Sequence, residues 1–150
     1  MPKISKKASN TLSQIFCAAI FILLVIAVFT LPAIMNFFIE IFYKPAEYFL
    51  PTMIVLYLVL IPAFVADISL FLLLKNIKNE RIFTPKSVTY LRTLSWCCML
   101  AGLLFFILGF LYYMVFLIAF AAFFMGVILR VVKNVIEEAT EIKSENDFTI

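Results

Sequence analysis

Residues 93–129, TLSWCCMLAGLLFFILGFLYYMVFLIAFAAFFMGVIL, form a stretch without a charged side chain. An α-helix rises about 1.5 Å per residue, so one helix of this length would measure roughly 55 Å. The hydrocarbon core of a bilayer is only about 30 Å thick. The stretch therefore predicts two membrane-spanning helices, and Gly109 near its middle predicts a tight turn between them.

Two further windows have the same apolar character, residues 8–39 and residues 48–74, and the second contains one charge, Asp67. The chain is 65% hydrophobic and 14% charged, whereas a soluble domain is about half apolar and a quarter charged. We predict an all-α membrane protein, a single domain over residues 1–150 that forms an antiparallel bundle of four transmembrane helices. The predicted spans are residues 12–35, 50–74, 85–108 and 113–133, followed by a tail at residues 134–150.

Local signals predict where the helices begin and end. Thr84 followed by Pro85 predicts the start of the third helix, because the threonine hydroxyl can cap it and proline is tolerated at the first position. Pro51 occupies the same kind of position in the second helix. Pro32 is expected to kink or end the first helix, since proline lacks the amide hydrogen that a helix interior needs.

Lysine and arginine are distributed unevenly along the chain. Eleven of the 12 lie in residues 1–7, 75–92 and 130–143, and the remaining one is Lys44. Four spans place those three segments on the same side of the membrane, and basic residues are retained on the cytoplasmic side during insertion. We therefore expect a multi-pass membrane protein with both termini in the cytoplasm.

Small residues recur at helical spacing in the third and fourth helices. Helices in lipid approach most closely where side chains are small. The tight turn makes these two helices neighbours, so we expect the small residues to face each other within one chain. The alternative is a homo-oligomer in which they form a dimer interface. They are Ser95, Cys98, Gly102 and Gly109 on the third helix and Ala119, Ala122 and Gly126 on the fourth.

Asp67 is an acidic residue deep inside a predicted span, roughly 12 Å along the helix from Lys75. A carboxylate at such a depth is costly and marks a functional candidate, here a proton or cation site. The alternative, which we favour, is a structural carboxylate paired with Arg92 or Arg130 and hydrogen-bonded to Ser69 or Ser95. An ion pathway usually contains several polar groups within the spans, and this chain has one. Asp67, Arg92 and Arg130 thus form a candidate intramembrane polar site.

The tail after Arg130 has the pattern of an amphipathic helix, with apolar residues three or four positions apart on one face and glutamates on the other. We expect the fourth helix to continue about ten residues into the cytoplasm, with Lys133 and Glu137 as an i, i+4 pair. The loop at residues 75–92, on the same side, is basic. The apolar face comprises Val132, Val135, Ile136, Ala139 and Ile142, and the acidic face comprises Glu137, Glu138 and Glu141.

Residue types that several kinds of chemistry require are scarce. The chain has no histidine and three glycines, which argues against a histidine-based catalyst and a glycine-rich phosphate loop. Cys17, Cys97 and Cys98 lie in apolar stretches and are interpreted as buried free thiols. We expect no enzyme activity, no catalytic or metal-binding residue and no cofactor. Membrane topology accounts for the net charge of +3, so direct nucleic-acid binding is not expected.

Two segments of the chain are recognisable, IFTPKSVTYLR at residues 82–92 and IKSENDFTI at residues 142–150. Together with the four predicted spans, they resemble the bacterial membrane family known as domain of unknown function 2975. The resemblance covers essentially the whole chain and implies a location in the bacterial cytoplasmic (inner) membrane. Members of that family are often encoded beside a small helix-turn-helix regulator, and the family has no assigned catalytic residues.

These patterns lead to two functional hypotheses. The first is a non-enzymatic membrane protein that regulates, or signals to, a soluble cytoplasmic protein such as a helix-turn-helix transcription factor. Its tail would dock either in cis against the basic loop or in trans on the partner. The alternative is a small ion- or proton-coupled transporter, or a transporter accessory subunit, centred on Asp67. Candidate partner-binding residues for the first hypothesis are Phe83, Arg92, Glu145, Asn146, Asp147, Phe148 and Ile150.

Overall fold

A computed structural model describes residues 5–148 of the chain, and these residues contain α-helices and no β-strand. Each of the four long helices is long and apolar enough to cross a membrane. The prediction of an all-α membrane fold with four helices is confirmed. Helix α1 spans Lys6–Ile41, α2 Phe49–Lys78, α3 Pro85–Gly109 and α4 Val115–Phe148, and a short 3-10 helix, Ala46–Tyr48, precedes α2.

Consecutive helices run antiparallel and pack side by side. At one end of the bundle, the Asn10 side chain of α1 donates a hydrogen bond to the Leu74 carbonyl near the end of α2. At the same end, Arg92 of α3 pairs with Glu137 of α4. We call this the basic end, because the lysines and arginines that flank the apolar parts of the helices lie there. The end that holds the α1–α2 and α3–α4 connections is the opposite end.

Small residues bring α3 and α4 into close contact. A Cβ atom built on Gly109 would lie 2.6 Å from the Phe116 ring, and one built on Gly126 would lie 2.9 Å from the Met99 Sδ atom. The Ser95 hydroxyl donates a hydrogen bond of 2.8 Å to the Gly126 carbonyl across the interface. The prediction that these residues make α3 and α4 neighbours within one chain is confirmed, but apart from the Ser95–Gly126 bond the glycines face large side chains of the other helix rather than small ones.

Helix α1 packs along α2 and buries few of its own side chains. Within Lys6–Ile41 the buried residues are Cys17 and Met35. Most of the apolar side chains of α1 consequently face outward, where lipid solvates them in a membrane.

Helix α1 continues through Pro32 as far as Ile41, so of the two predicted effects of Pro32, a kink or an end, the end is wrong and the kink stays a prediction. Proline at position 32 cannot donate a hydrogen bond to the carbonyl four residues earlier, which belongs to Val28. The Tyr57 hydroxyl of α2 donates to that same carbonyl at 3.0 Å. A side chain of the neighbouring helix thus satisfies the carbonyl that the proline leaves open.

The start of α3 follows the sequence prediction. Pro85 is its first residue, and the Thr84 hydroxyl accepts a hydrogen bond from the Ser87 amide. The Ser87 hydroxyl is fully buried, donates to the Arg81 carbonyl and accepts from the Asn76 side chain. These bonds fix the α2–α3 connection at the basic end.

The opposite end is held together by Tyr112 in the α3–α4 connection. Its ring centre lies 6.0 Å from that of Phe38 in α1, and the Lys44 ammonium group lies 5.4 Å from it. Its hydroxyl accepts a hydrogen bond of 3.4 Å from Thr52 in α2. One side chain therefore contacts α1, α2 and the connection between them.

Candidate functional site

Three charged side chains connect α3 to α4 at the basic end. Lys133 Nζ donates to Glu137 Oε2 at 2.6 Å, one turn along the same helix. Arg92 Nη2 of α3 donates to the other carboxylate oxygen, Oε1, at 3.2 Å. Glu137 therefore links the two helices, and we call Arg92, Lys133 and Glu137 the ionic cluster.

The ionic cluster lowers the pKa of Glu137 below the ordinary value of a glutamate. The largest cause is the hydrogen bond from Lys133; desolvation acts in the opposite direction, and the positive charges of Lys133 and Arg92 lower the pKa further. Glu137 is consequently ionised at neutral pH. The predicted pair between Lys133 and Glu137 is confirmed, whereas the participation of Arg92 in it was not predicted.

A small apolar core lies beside the ionic cluster and holds α4 in place. Leu73 of α2 and Leu91 and Leu94 of α3 are buried against each other. Leu129 and Ile136 of α4 pack against them. As far as Ile136, α4 therefore belongs to the bundle.

After the ionic cluster, α4 continues as an exposed helix. None of residues 138–148 is buried, and those from 141 onward are all exposed. We call residues 138–148 the projecting segment, which measures about 16 Å at 1.5 Å per residue. The predicted helical extension of the fourth span is confirmed and is longer than expected, because no glycine or proline follows Gly126. The segment carries one lysine, Lys143, and four carboxylates, Glu138, Glu141, Glu145 and Asp147.

The apolar face predicted for this part of α4 is only partly covered. Ile136 and Ala139 are half-buried, whereas Val132, Val135 and Ile142 are exposed. The predicted apolar stripe is therefore wider than the part of α4 that packs against the small core.

Within residues 5–148, the predicted partner-binding residues fall in three places. Phe83 lies in the α2–α3 connection and is exposed, and Arg92 belongs to the ionic cluster. Ile150 lies outside the described residues. Phe148, at the end of α4, is 88% exposed, so it is not folded back onto the bundle. The residues that share the last turn of α4 are Glu145, Asn146, Asp147 and Phe148.

Asp67 lies apart from both arginines with which it was predicted to pair. Its side chain is 7% exposed and lines a groove of about 400 Å³ between α1 and α2, beside Cys17. Among residues 5–148 it makes no hydrogen bond or ion pair. The predicted pairing is wrong, because Arg92 is in the ionic cluster and Arg130 lies over the Trp96 ring.

Residues 5–148 contain no grouping of side chains that could hold a metal ion.

Comparisons with known proteins agree with the membrane fold. The sequence profile of a family described as "Protein of unknown function (DUF2975)" matches residues 33–150, which include α2, α3 and α4. The chain is also similar to "Uncharacterized membrane protein YoaS" of Bacillus subtilis (strain 168). The two are 28% identical over 160 residues, an alignment that covers 94% of this chain and 99% of the relative. No solved structure matches the chain.

Proposed function

Since the chain belongs to the DUF2975 family of membrane proteins, we propose that it is a non-enzymatic regulatory protein that binds a soluble cytoplasmic protein at its basic end. The observation that carries this proposal is the projecting segment. It is helical, acidic and exposed, and it follows directly from a candidate membrane span. A helix held in this way presents a binding surface at a set position relative to the bilayer.

The distribution of basic residues supports a cytoplasmic location for the projecting segment. Ten of the 11 lysines and arginines within residues 5–148 lie in segments that the antiparallel fold brings to the basic end. Insertion retains such segments on the cytoplasmic side of a bacterial inner membrane. Within the described part of the chain, Lys44 is the one basic residue at the opposite end.

The exposed end of the projecting segment supports docking in trans. Phe148 is 88% exposed and Ile142 is 53% exposed. These apolar side chains stand among the carboxylates of the segment. A partner that offers a basic surface with an apolar groove would complement both features.

A helix-turn-helix regulator has the required chemistry, because proteins that bind DNA present a basic surface to the phosphates. The resemblance described above implies that such a regulator is often encoded beside members of this family. The acidic helix would compete with DNA for that surface. Binding at the membrane would thereby hold the regulator away from its operator.

The proposal is tested with the regulator encoded beside the gene for this chain. The full chain in nanodiscs is added to the regulator bound to its operator DNA, and DNA release is followed by fluorescence anisotropy. We expect release by the wild-type chain and at least a tenfold loss of potency when Glu138, Glu141 and Glu145 are all replaced by Gln. Deletion of residues 144–150 should also weaken release, because it removes Phe148.

Matched controls separate docking from a general charge effect. Glu40 and Glu47 lie at or near the α1–α2 connection, at the opposite end, so their replacement by Gln removes negative charge far from the projecting segment. This variant should release DNA as the wild-type chain does. Equal potency of the wild-type chain, the triple variant and the chain lacking residues 144–150 would overturn the proposal.

The structure supports the transport hypothesis less than it supports regulation. Asp67 is buried and unpaired among residues 5–148, as an ion site would require. The residues that line its groove all belong to α1 and α2, however, so α3 and α4 do not contribute to it. We therefore retain regulation as the proposed function.

A further inference from the structure

A pocket of about 300 Å³ lies between α3 and α4 at the basic end. Arg92 and Arg130 bracket the charge-free stretch of these two helices, so the pocket lies at the level where a membrane meets water. Its lining includes three cationic side chains and one indole ring. The lining residues are Arg92, Ser95, Trp96, Arg130, Lys133 and Asn134.

The positive charge of this pocket is only partly balanced. Arg92 and Lys133 share the single carboxylate of Glu137. Arg130 makes no ion pair with residues 5–148, and its guanidinium carbon lies 4.7 Å from the centre of the Trp96 ring. Three cations beside one carboxylate leave a positive potential that attracts an anion.

A second groove, of about 390 Å³, continues from the pocket along α3. It shares Arg92 and Trp96 with the pocket and adds Cys97 and Leu100, which lie farther into the charge-free stretch. An amphiphile with its head group in the pocket would lay its hydrocarbon chain along this groove. The two cavities together thus have a charged part and an apolar part in the order that a lipid requires.

We propose that the pocket binds the phosphate of an anionic phospholipid, such as phosphatidylglycerol, with an acyl chain along the groove at Cys97 and Leu100. Arginine forms paired hydrogen bonds with phosphate oxygens, and lysine adds a point charge. Basic pockets between membrane helices are suited to anionic head groups. A free phosphate would meet the same cations but would leave the apolar groove empty, so the lipid is the better match. The site does not depend on the proposed soluble partner.

Glu137 would compete with the lipid, because it occupies Arg92 and Lys133. Its replacement by Gln should free both cations and raise the affinity for an anionic head group. Replacement of Arg130 by Gln should lower that affinity. The two substitutions therefore have opposite expected signs at the same pocket.

The single tryptophan of the chain, Trp96, lines both the pocket and the groove, so its fluorescence reports on lipid that contacts this part of α3. The full chain is reconstituted in phosphatidylcholine bilayers that contain increasing fractions of phosphatidylglycerol with brominated acyl chains, which quench the indole on contact. Brominated phosphatidylcholine provides the neutral reference. We expect a preference of about fivefold or more for phosphatidylglycerol in the wild-type chain, a loss of about fivefold in Arg130→Gln and a gain in Glu137→Gln.

Two variants with the same charge changes outside the pocket serve as controls. Lys143→Gln and Glu138→Gln lie on the projecting segment and should leave the preference unchanged. Equal effects in these controls, or no preference in the wild-type chain, would overturn the proposal. Release of the quenching by millimolar inorganic phosphate would assign the pocket to a soluble anion and would also overturn it. If circular dichroism shows that Arg130→Gln does not fold, Glu137→Gln alone tests the proposal. A raised preference for phosphatidylglycerol would support it, and an unchanged or lowered preference would overturn it.

Discussion

The α3–α4 hairpin and the α1–α2 pair are both formed by consecutive antiparallel helices, yet they are held together differently. In the hairpin, glycines on both helices let the other helix come close, as Gly109 does for Phe116. In the α1–α2 pair, α1 stays largely exposed, and side chains donate hydrogen bonds to backbone carbonyls across the interface. These bonds are Asn10 to Leu74 and Tyr57 to Val28.

The difference shows how two helices become specific neighbours in lipid. Hydrocarbon tails are as apolar as leucine, so burial of apolar surface adds little to helix association in a membrane. Close van der Waals contact and hydrogen bonds remain as the available forces. The hairpin relies mainly on close contact within its apolar part, and the α1–α2 pair relies on hydrogen bonds. The hairpin also has the hydrogen bond from Ser95 to Gly126 and, at the basic end, the one from Arg92 to Glu137.

The largest expected effect comes from Gly126→Leu in the hairpin. A Cβ at this position would lie 2.9 Å from Met99 Sδ, so the larger leucine side chain has to displace Met99 from the contact between the helices. We expect the free energy of unfolding to fall by about 1–3 kcal/mol, as overpacking of a close contact usually costs. Denaturation in micelles followed by circular dichroism measures it. Ala19→Leu, on the exposed surface of α1, should change it little; a similar loss there would contradict the comparison.

The second effect concerns the bond that offsets Pro32 in α1. Tyr57→Phe removes the donor to the Val28 carbonyl, which then lacks a partner in a medium without water. We expect a loss of about 1 kcal/mol in the free energy of unfolding, within the range of hydrogen bonds between membrane helices. In a Pro32→Ala background the loss should vanish, because the amide at position 32 can then donate to Val28.

A double-mutant cycle in the same denaturation assay measures this coupling. Tyr113→Phe is the matched control, since Tyr113 is 83% exposed in the α3–α4 connection. Tyr113→Phe should leave the free energy of unfolding unchanged in either background. An unchanged cost of Tyr57→Phe in the Pro32→Ala background would show that the hydroxyl does not act through Val28.

The number of helices and the two ends of α3 could be predicted from the sequence. The lengths of the charge-free windows determined the number of helices, and Thr84 with Pro85 marked the start of α3, because both signals are local. Gly109 likewise marked the end of α3. That α3 and α4 are neighbours was predicted correctly, because a tight turn leaves little choice, but the glycines contact large side chains such as Phe116 and Met99 rather than the small residues expected there.

Which neighbouring helix a given side chain faces could not be predicted in the same way. The depth of Asp67 follows from its distance along the chain to Lys75, but the neighbour it faces depends on which side of α2 each helix packs. It faces α1 and the groove, so the expected arginines lie elsewhere. The continuation of α1 through Pro32 could not be predicted for the same reason. The hydroxyl that donates to the Val28 carbonyl belongs to Tyr57, a residue distant in sequence.

The smallest effect is expected from the pH dependence of the ionic cluster, where the sign follows from the pKa of Glu137. That pKa is held below the ordinary value, so the contribution of the carboxylate to stability is fully present above the ordinary glutamate pKa. It is lost as the pH falls through the lowered pKa, when Lys133 and Arg92 lose their common acceptor. Carboxyl carbon NMR of the labelled chain in micelles measures this titration.

Two substitutions rank the causes of the lowered pKa. Lys133→Ala removes both the hydrogen bond and a charge, so the pKa of Glu137 should move strongly back toward its ordinary value. Arg92→Ala removes the smaller cause and should move it less, although Arg92 is the contact that joins α4 to α3. A larger shift in Arg92→Ala would mean that the contact between helices, rather than the bond within α4, controls the charge of Glu137.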